Sequence, residues 1–389
     1  MTGARQPRIA VVHDWLIDYA GSERVLREIL DLYPQADLFT LIDARDDELR
    51  AAIPRPARAT SFLQSFPKPR RWLRYYVPLM PLAIEQLDLA RYDIVLSSSH
   101  AVAKGVITGP AQLHLSYVHT PMRYAWDLQH EYLRAAGLER GPRAWAARLA
   151  LHRLRQWDVR TANGVDAFVA NSSHVARRIR KAYRRESQVL YPPVDVSAFP
   201  LQGQKEDFYL TVSRLEPYKR VDLLLEAFRR MPERNLVVIG DGPEMSRLRA
   251  ALPRNVELRG RLSTPEVRSH MQRARAFLFA GIEDFGIVMA EAQACGTPLI
   301  AFGSGGAAEI ARAEDAARPT GLLFAQQTPE AVLEAVRRFE RDPARFEAGA
   351  CRENAMRFDR GRFRSRFEEI VRTQWERFSA ELAAEAPAQ

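Results

Sequence analysis

The sequence predicts an α/β protein of two domains, each a parallel β-sheet covered on both faces by helices. Three observations carry this expectation. Short β-branched apolar runs alternate with helix-period segments along the whole chain, the pattern of strand–helix–strand units. Eleven such runs are legible, more than one ordinary sheet holds. At 389 residues the chain also exceeds what a single core accommodates.

In the first half the strands are expected at Ile9–Trp15, Ala36–Asp43, Tyr92–Ser98, Leu113–His119, Val165–Asn171 and Gln188–Tyr191. The second half gives Phe208–Leu215, Leu236–Gly240, Val256–Gly260, Ala276–Ile282 and Pro298–Phe302. Helices fill the intervals; over Ser22–Tyr33, for example, Val25, Leu26, Ile29 and Leu30 share one face. The spacing breaks at "YPPVDVSAFPLQGQKED", residues 191–207, whose proline and polar content is that of a linker. The expected layout is therefore a Rossmann-like domain over 1–195, a second over 203–365, and a C-terminal helix and tail over 366–389. Two such domains facing each other form a cleft along the C-terminal ends of their strands, and ligands of open α/β sheets bind at that edge.

Composition narrows the class. The chain is 47% hydrophobic and 27% charged, as soluble globular proteins are. No run approaches the ~18 apolar residues of a membrane span, and Met1–Arg8 lacks the apolar stretch of a signal peptide. Cys295 and Cys351 have neither disulfide-framework nor metal-ligand spacing. A cytoplasmic protein is expected. The net charge of +9 rests almost wholly on arginine, since only five of the 57 basic residues are lysines. Such a balance favours a polyanionic partner: nucleic acid, anionic lipid or a phosphorylated substrate.

Chemistry is expected in the strand-to-helix loops. In "HDWLIDYAGSERVL", Gly21-Ser22 opens a helix, with Ser22 as N-cap and amides exposed to an anion; a plain capped helix would read the same way. In "VSRLEPYKRVDLL", Arg214 follows a strand and Lys219 stands five residues on, a fork and a point charge suited to a diphosphate or simply a solvated pair. In "VIGDGPE", Gly240 and Gly242 straddle Asp241 at a strand end and permit close backbone approach or a tight turn. In "EDFGIVMAEAQACG", Glu283 ends a strand, Gly286 allows the turn, and the amides of Phe285 to Ile287 become a helix N-terminus. Glu291 lies nearly two turns further along. Acids so placed suit hydroxyl acceptance, one on a sugar and one on a ribose, with the helix end facing phosphates between them. Two surface glutamates flanking a buried helix are the bland alternative. Neither a full Gly-x-Gly-x-x-Gly fingerprint, a Walker loop, an Asp-x-Asp pair nor a nucleophile elbow occurs.

Together these motifs resemble glycosyltransferase family 4, the retaining nucleotide-sugar transferases of GT-B fold. The resemblance rests on the glutamate-x7-glutamate pattern at Glu283 and Glu291, "SRL…K" at Arg214 and Lys219, "GDGPE", "GSGGAAEI" at 303–310 and "GSERV", and it covers essentially the whole chain. "VVHDWLIDYAGSERVL", "SSSHAVAKGV" and "YVHTPMRYAWDLQHEYL" are further similar to mannosyltransferases of bacterial O-antigen and exopolysaccharide assembly. The resemblance implies two facing Rossmann-like domains with a C-terminal helix crossing back to the first. It implies catalytic roles for Arg214, Lys219, Glu283 and His119, the last contacting the donor sugar. It places Gly21, Ser22, Gly240, Leu262, Phe285, Gly286, Ile287 and Glu291 at the donor. Ala20 stands where the family usually has a second glycine, which leaves Gly21 as the amide donor. No metal and no cofactor are expected. The implied donor is a nucleotide sugar, GDP-mannose first and a UDP-sugar as alternative, and the acceptor a glycan or polyprenyl-diphosphate-linked glycan. A nucleotide-sugar epimerase of the same architecture is the competing enzyme class. A nucleic-acid binder would use the +9 charge, but no recognition-helix or zinc motif is present, and no nucleic-acid partner is expected.

Two segments point to a membrane surface. "FPKPRRWLRYYVPLMP" (66–81) interleaves Lys68, Arg70, Arg71 and Arg74 with Trp72, Tyr75 and Tyr76. "RGPRAWAARLALHRLRQWDVR" (140–160) sets Trp145, Leu149, His152 and Gln156 at helical spacing among arginines. Arginine with Trp and Tyr is the composition of an interfacial segment; tryptophans serving as core anchors under a basic surface would give the same letters. The expected location is the cytoplasm, peripheral on the cytoplasmic face of the inner membrane.

Overall fold

Each half of the chain winds onto its own parallel sheet. The computed structural model of the protein describes residues 6–385, so the first five residues and the end of the Ala/Glu tail lie outside it. The chain divides into two units: one holds the sequence up to Tyr191 together with the segment from Phe363 onward, the other Pro192–Arg362.

In the first unit β1 (Ile9–His13), β2 (Asp37–Thr40), β3 (Ala59–Thr60), β4 (Ile94–Ser99), β5 (Leu113–Val118), β6 (Ala167–Ala170) and β7 (Gln188–Val189) lie side by side in the order β3-β2-β1-β4-β5-β6-β7. In the second, β8 (Tyr209–Val212), β9 (Leu236–Ile239), β10 (Val256–Gly260), β11 (Ala276–Phe279), β12 (Leu299–Phe302) and β13 (Gly321–Phe324) lie in the order β10-β9-β8-β11-β12-β13. Every pairing is parallel. β1, β4, β5 and β11 are buried at every position, because helices cover both faces; β11 is accordingly an unbroken apolar run and β1 is apolar up to His13, whereas β4 and β5 also bury Ser97, Ser98, Ser99, His114 and Ser116. Helix Gly21–Leu32 buries Val25, Leu26, Ile29 and Leu30 against Val11, Leu38, Leu96 and Leu115 of the first sheet.

Several strands stop short of their apolar runs. β1 ends at His13 although Leu16 and Ile17 beyond it remain buried, and β11 ends at Phe279 although Ala280 is buried too. An apolar run records burial, and burial continues into the loops after pairing has ended. Two strands were not expected. Ala59–Thr60 is only two residues long, and Gly321–Phe324 is a four-residue run too short for its period to distinguish strand from helix.

The proline-rich crossing at 191–207 is packed, not loose. Val194, Val196 and Phe199 are buried, and the Lys205 ammonium donates to the carbonyls of Gln272 and Cys295 and to Thr297 Oγ1. The C-terminal helix, Arg360–Glu385, buries Phe363, Phe367, Ile370 and Val371 in the first unit's core, with Phe363 and Phe367 edge-on to Tyr117. Arg364 clamps it by ion pairs with Glu28 and Asp31.

A buried polar row runs through the centre of the first sheet. His114 on β5 contacts Ser97 Oγ at 2.9 Å and the Gly164 carbonyl at 3.1 Å. Burial pushes its imidazole down to about 4, against a weaker upward pull from the Gly164 carbonyl. The native ring is therefore neutral at pH values where the unfolded chain, near its ordinary 6.5, takes up a proton. The stabilisation is complete above about pH 6.5 and is lost as pH falls towards 4, amounting to about 3 kcal/mol over that window. Urea titrations of wild type and His114→Gln at pH 7 and pH 4.5 should show a smaller acid-induced loss in the variant; equal losses would assign the acid sensitivity to other groups.

Candidate functional site

A parallel sheet that winds first to one side and then to the other leaves a point where neighbouring strands send their connections apart, and ligands bind in the crevice there. In the second unit that point lies between β8 and β11, in the first between β1 and β4.

At the second unit's switch point the loops after β8 and β11 bring Lys219 and Glu283 together. Lys219 ends the single 3-10 turn Pro217–Lys219, and its ammonium is ion-paired with the Glu283 carboxylate. Both side chains are largely buried, and the ammonium also lies 5.6 Å from the centre of the Phe279 ring. This contact depends on Gly281. A Cβ there would sit 2.8 Å from Lys219 Cα and 2.8 Å from the Tyr218 carbonyl oxygen, so only glycine lets the two loops approach so closely. Glu283 does not end its strand as expected: it lies four residues past β11, held by a bridge to Gly305 and by the Gly306 amide donating to its carbonyl at 2.8 Å.

Gly286, at φ +90°, stands at the N-cap of helix Ile287–Ala294, which opens beside Glu283. Phe285 is 2% exposed and packs edge-on against Phe358, so its side chain serves the core and its backbone alone remains for a ligand. Glu291 faces inward on the same helix and is buried; it is not one of two surface glutamates. Arg214 stands apart from the Lys219–Glu283 pair, with its exposed guanidinium on Glu216 at 2.9 Å. Gly240 and Gly242 hold the loop after β9 against the loop after β8: a Cβ on Gly240 would lie 1.8 Å from the Ser213 carbonyl oxygen, and Leu215 exchanges backbone bonds with Asp241 and Glu244. The close approach at Gly240 is thus between two loops of the chain. Leu262 is half-buried just past β10.

The first unit's switch point is a buried polar chain. His119, one residue past β5, places Nε2 2.8 Å from Ser98 Oγ; Ser98 Oγ lies 3.1 Å from His13 Nδ1, and His13 Nε2 lies 3.2 Å from Glu23 Oε1. Burial alone would raise the Glu23 carboxyl, but its hydrogen bond to His13 holds it below the ordinary range. An ionised Glu23 can only accept, so His13 Nε2–H donates to it, and the Ser98 hydroxyl bridges His13 Nδ1 and His119 Nε2, giving its one proton to one ring while its oxygen accepts from the other. Glu23 is thereby coupled to a ring two links away. Asp14, fully buried, accepts from the amides of His100, Ala101, Val102 and Ala103 at 2.6–3.0 Å, fastening the loop after β4 to the end of β1.

Ser22 is not the N-cap. Helix Gly21–Leu32 begins one residue earlier, with Ala20 at the cap position. Ala20 offers no side-chain acceptor; instead Glu23 reaches back to accept from the Ala20 amide at 3.0 Å and from Ser22 Oγ at 3.0 Å. His13, Asp14, Glu23, Ser98 and Gly281 were not singled out from the sequence. Their signal was present: charged or hydroxyl residues closing fully apolar runs in "AVVHD" and "IVLSSSH", and a glycine at a strand end in "FAGIED".

Two family descriptions tile the chain: "Glycosyltransferase Family 4" matches residues 19–198 and "Glycosyl transferases group 1" residues 197–358. Relatives include the GDP-mannose-dependent alpha-(1-6)-phosphatidylinositol monomannoside mannosyltransferase of Mycobacterium tuberculosis, 30% identical over 227 residues that cover 50% of this chain and 58% of that protein. The D-inositol 3-phosphate glycosyltransferase of Mycobacterium leprae is 30% identical over 36% of this chain and 39% of its own length. The chain thus spans roughly two to three fifths of these relatives. Among solved structures, Anabaena HepE in complex with UDP and glucose superposes with a TM-score of 0.67 at 17% identity, covering 94% of this chain and 100% of that one. Sucrose-phosphate synthase from Thermosynechococcus elongatus does so with a TM-score of 0.67 at 16% identity, covering 95% and 100%. The chain belongs to glycosyltransferase family 4 and has the GT-B fold.

Gly281→Ala should separate the Lys219 turn from the Glu283 loop and lower turnover of the proposed sugar transfer at least about tenfold while the fold survives. Gly164→Ala, where a Cβ meets nothing within 4 Å, is the control. Thermal melts by circular dichroism alongside turnover assays check this; full turnover in Gly281→Ala would show that the close approach is dispensable.

Proposed function

We propose that this protein is a retaining glycosyltransferase that moves a hexose, mannose from GDP-mannose, onto a glycan or polyprenyl-diphosphate-linked acceptor in bacterial polysaccharide or O-antigen assembly. The observation that carries the reading is the Lys219–Glu283 pair beside the N-terminus of helix Ile287–Ala294, at the switch point of the second sheet. A diphosphate entering there offers Lys219 a stronger anionic partner and releases Glu283 to accept hydroxyls of the donor sugar. The helix N-terminus and Lys219, with Arg214 at the rim, take up charge as the nucleoside diphosphate leaves. Glu291 accepts from the ribose. No divalent metal is needed for that role. The GDP-mannose donor is supported by the mannosyltransferase relative from Mycobacterium tuberculosis; a UDP-sugar donor is the alternative.

Retention follows from same-face attack. The bond from the sugar's anomeric carbon to the phosphate oxygen breaks, the acceptor oxygen bonds to that carbon from the same face, and the acceptor's proton passes to the departing phosphate. In this scheme His119 contacts the donor sugar through the ring nitrogen that Ser98 does not engage.

Measurements on the purified protein test this reading. Thermal shifts across a panel of nucleotide sugars should be largest with GDP-mannose; a larger shift with a UDP-sugar would reassign the donor. Epimerised free sugar nucleotide in place of transfer would replace the reaction class. Glu291→Ala should weaken binding of bare GDP about tenfold or more, whereas Glu283→Ala should spare it and damage transfer. Equal GDP affinity in both variants and wild type would remove the ribose role. Arg214→Ala should lower kcat more than it weakens donor binding, by about 2–4 kcal/mol in the barrier. EDTA should leave turnover unchanged, and strict magnesium dependence would overturn the metal-free scheme.

A further inference from the structure

The first unit carries an exposed apolar face that its own core does not use. Helix Pro69–Tyr76, the 3-10 turn Val77–Leu79 and helix Met80–Glu85 form one continuous helical segment. Its inner side, Tyr76, Met80, Ala83 and Ile84, is buried in the core. Its outer side presents Trp72 at 40%, Tyr75 at 63%, Leu79 at 40% and Leu82 at 54% exposure, a single stripe at steps of three and four residues. The neighbouring helix, Pro142–Thr161, repeats the arrangement: Leu154 and Asp158 are buried, while Trp145 at 75% and Leu149 at 52% face outward with His152 and Gln156 continuing their line. Trp157 Nε1 and Arg160 both reach Glu85, which fixes the two helices side by side. The tryptophans at 72 and 145 are therefore not core anchors.

Charge identifies the partner. From Phe66 to Ile84 and from Arg140 to Trp157 there is no acidic residue. Lys68, Arg71 and Arg74 are exposed around the first stripe, Arg140, Arg143 and Arg153 around the second. Arg74 lies over the Tyr75 ring at 4.9 Å and Lys68 over Trp72 at 5.9 Å, so cations and aromatics sit at one level. Arg70 differs: still exposed, it donates to the Ile17 carbonyl and pairs with Asp18 and Asp46, fastening the segment to the loops after β1 and β2. A wholly basic face repels a second copy of itself, and leucines between the rings have no use for a nucleic acid's stacked bases. An apolar phase beneath a layer of negative headgroups meets both demands.

We infer that this two-helix face docks the protein reversibly on an anionic lipid surface, with Trp72, Tyr75, Leu79, Leu82, Trp145 and Leu149 at headgroup depth and the surrounding arginines on phosphates. The inference names the surface at which the proposed lipid-linked acceptor would be met and rests on that reading for its purpose; its test reads binding without activity. Purified full-length protein is co-sedimented with vesicles of phosphatidylcholine alone and of phosphatidylcholine with phosphatidylglycerol, at low and high salt. Binding to the anionic vesicles only, weakened by salt, is expected. Arg71→Glu with Arg74→Glu should weaken it at least about tenfold, and Leu79→Ser with Leu82→Ser, exposed positions whose change spares the core, should abolish the fraction that survives salt. Transfer to a short soluble acceptor should be unaltered by either pair; should that transfer be absent in wild type while binding persists, the transferase reading fails and the docking face stands. Failure to bind anionic vesicles at low salt, binding indifferent to both pairs, dimerisation that depends on Leu79 and Leu82, or displacement of the vesicles by a single-stranded RNA oligonucleotide would each overturn the inference.

Discussion

Two sheets that each reverse their winding direction leave two places where adjacent strands hand their chains to opposite sides, and a largely buried ion pair stands at one and a buried polar chain at the other. At the second, the constraint is steric. The turn carrying Lys219 and the loop carrying Glu283 leave neighbouring strands, and the loops approach so closely that Gly281 has no room for a side chain. Around this contact the surrounding loops are braced one on another: the loop after β9 leans on the loop after β8 through Gly240, and the loop after β12 holds Glu283 through Gly305 and Gly306. Moving any of these shifts the ion pair.

Buried charge follows one rule in both units: it is paired or fully hydrogen-bonded, as its desolvation requires. Lys104, which burial pushes below its ordinary range, meets Asp158 at 2.9 Å, and Asp158 also accepts from Trp126 and Tyr183. Asp14 is satisfied by four amides of the loop that leads to Lys104. The two sites together tie β1, β4 and helix Pro142–Thr161 into one polar scaffold, on which the Glu23–His13–Ser98–His119 chain is held. That scaffold also fixes the inner side of the helices whose outer side carries the exposed tryptophan and leucine stripes, so the interior determines which face is left for a partner.

Much of this was legible in the letters. Runs such as "IAVVH" and "AFLF" fit strands buried on both faces, and it is their alternation with helix-period segments that pointed to parallel sheets. The acids at 283 and 291 drew the expectation of a site, and the structure buries Glu291 and pairs Glu283 with Lys219. The cap of the first site's helix was misplaced, because Glu23 supplies from within the helix what a Ser at the cap would have supplied. The strand at Gly321–Phe324 escaped notice because four residues carry no period.

The sequence by itself determined the layer architecture, the strand-to-helix loops at which ligands of such sheets are expected, and the basic, arginine-rich character of the chain, since these depend on composition and short-range periodicity. Only the tertiary structure decided which of those residues meet. Lys219 and Glu283 are 64 positions apart, and no local pattern records that a glycine between them in space draws their loops together. The structure likewise decided that Arg214 points to Glu216, that Arg70 pairs with Asp18 and Asp46, and that Trp72 and Trp145 face outward. A tryptophan at helical spacing is written identically whether it fills a core or faces outward; the difference lies in which side of its helix the rest of the chain covers.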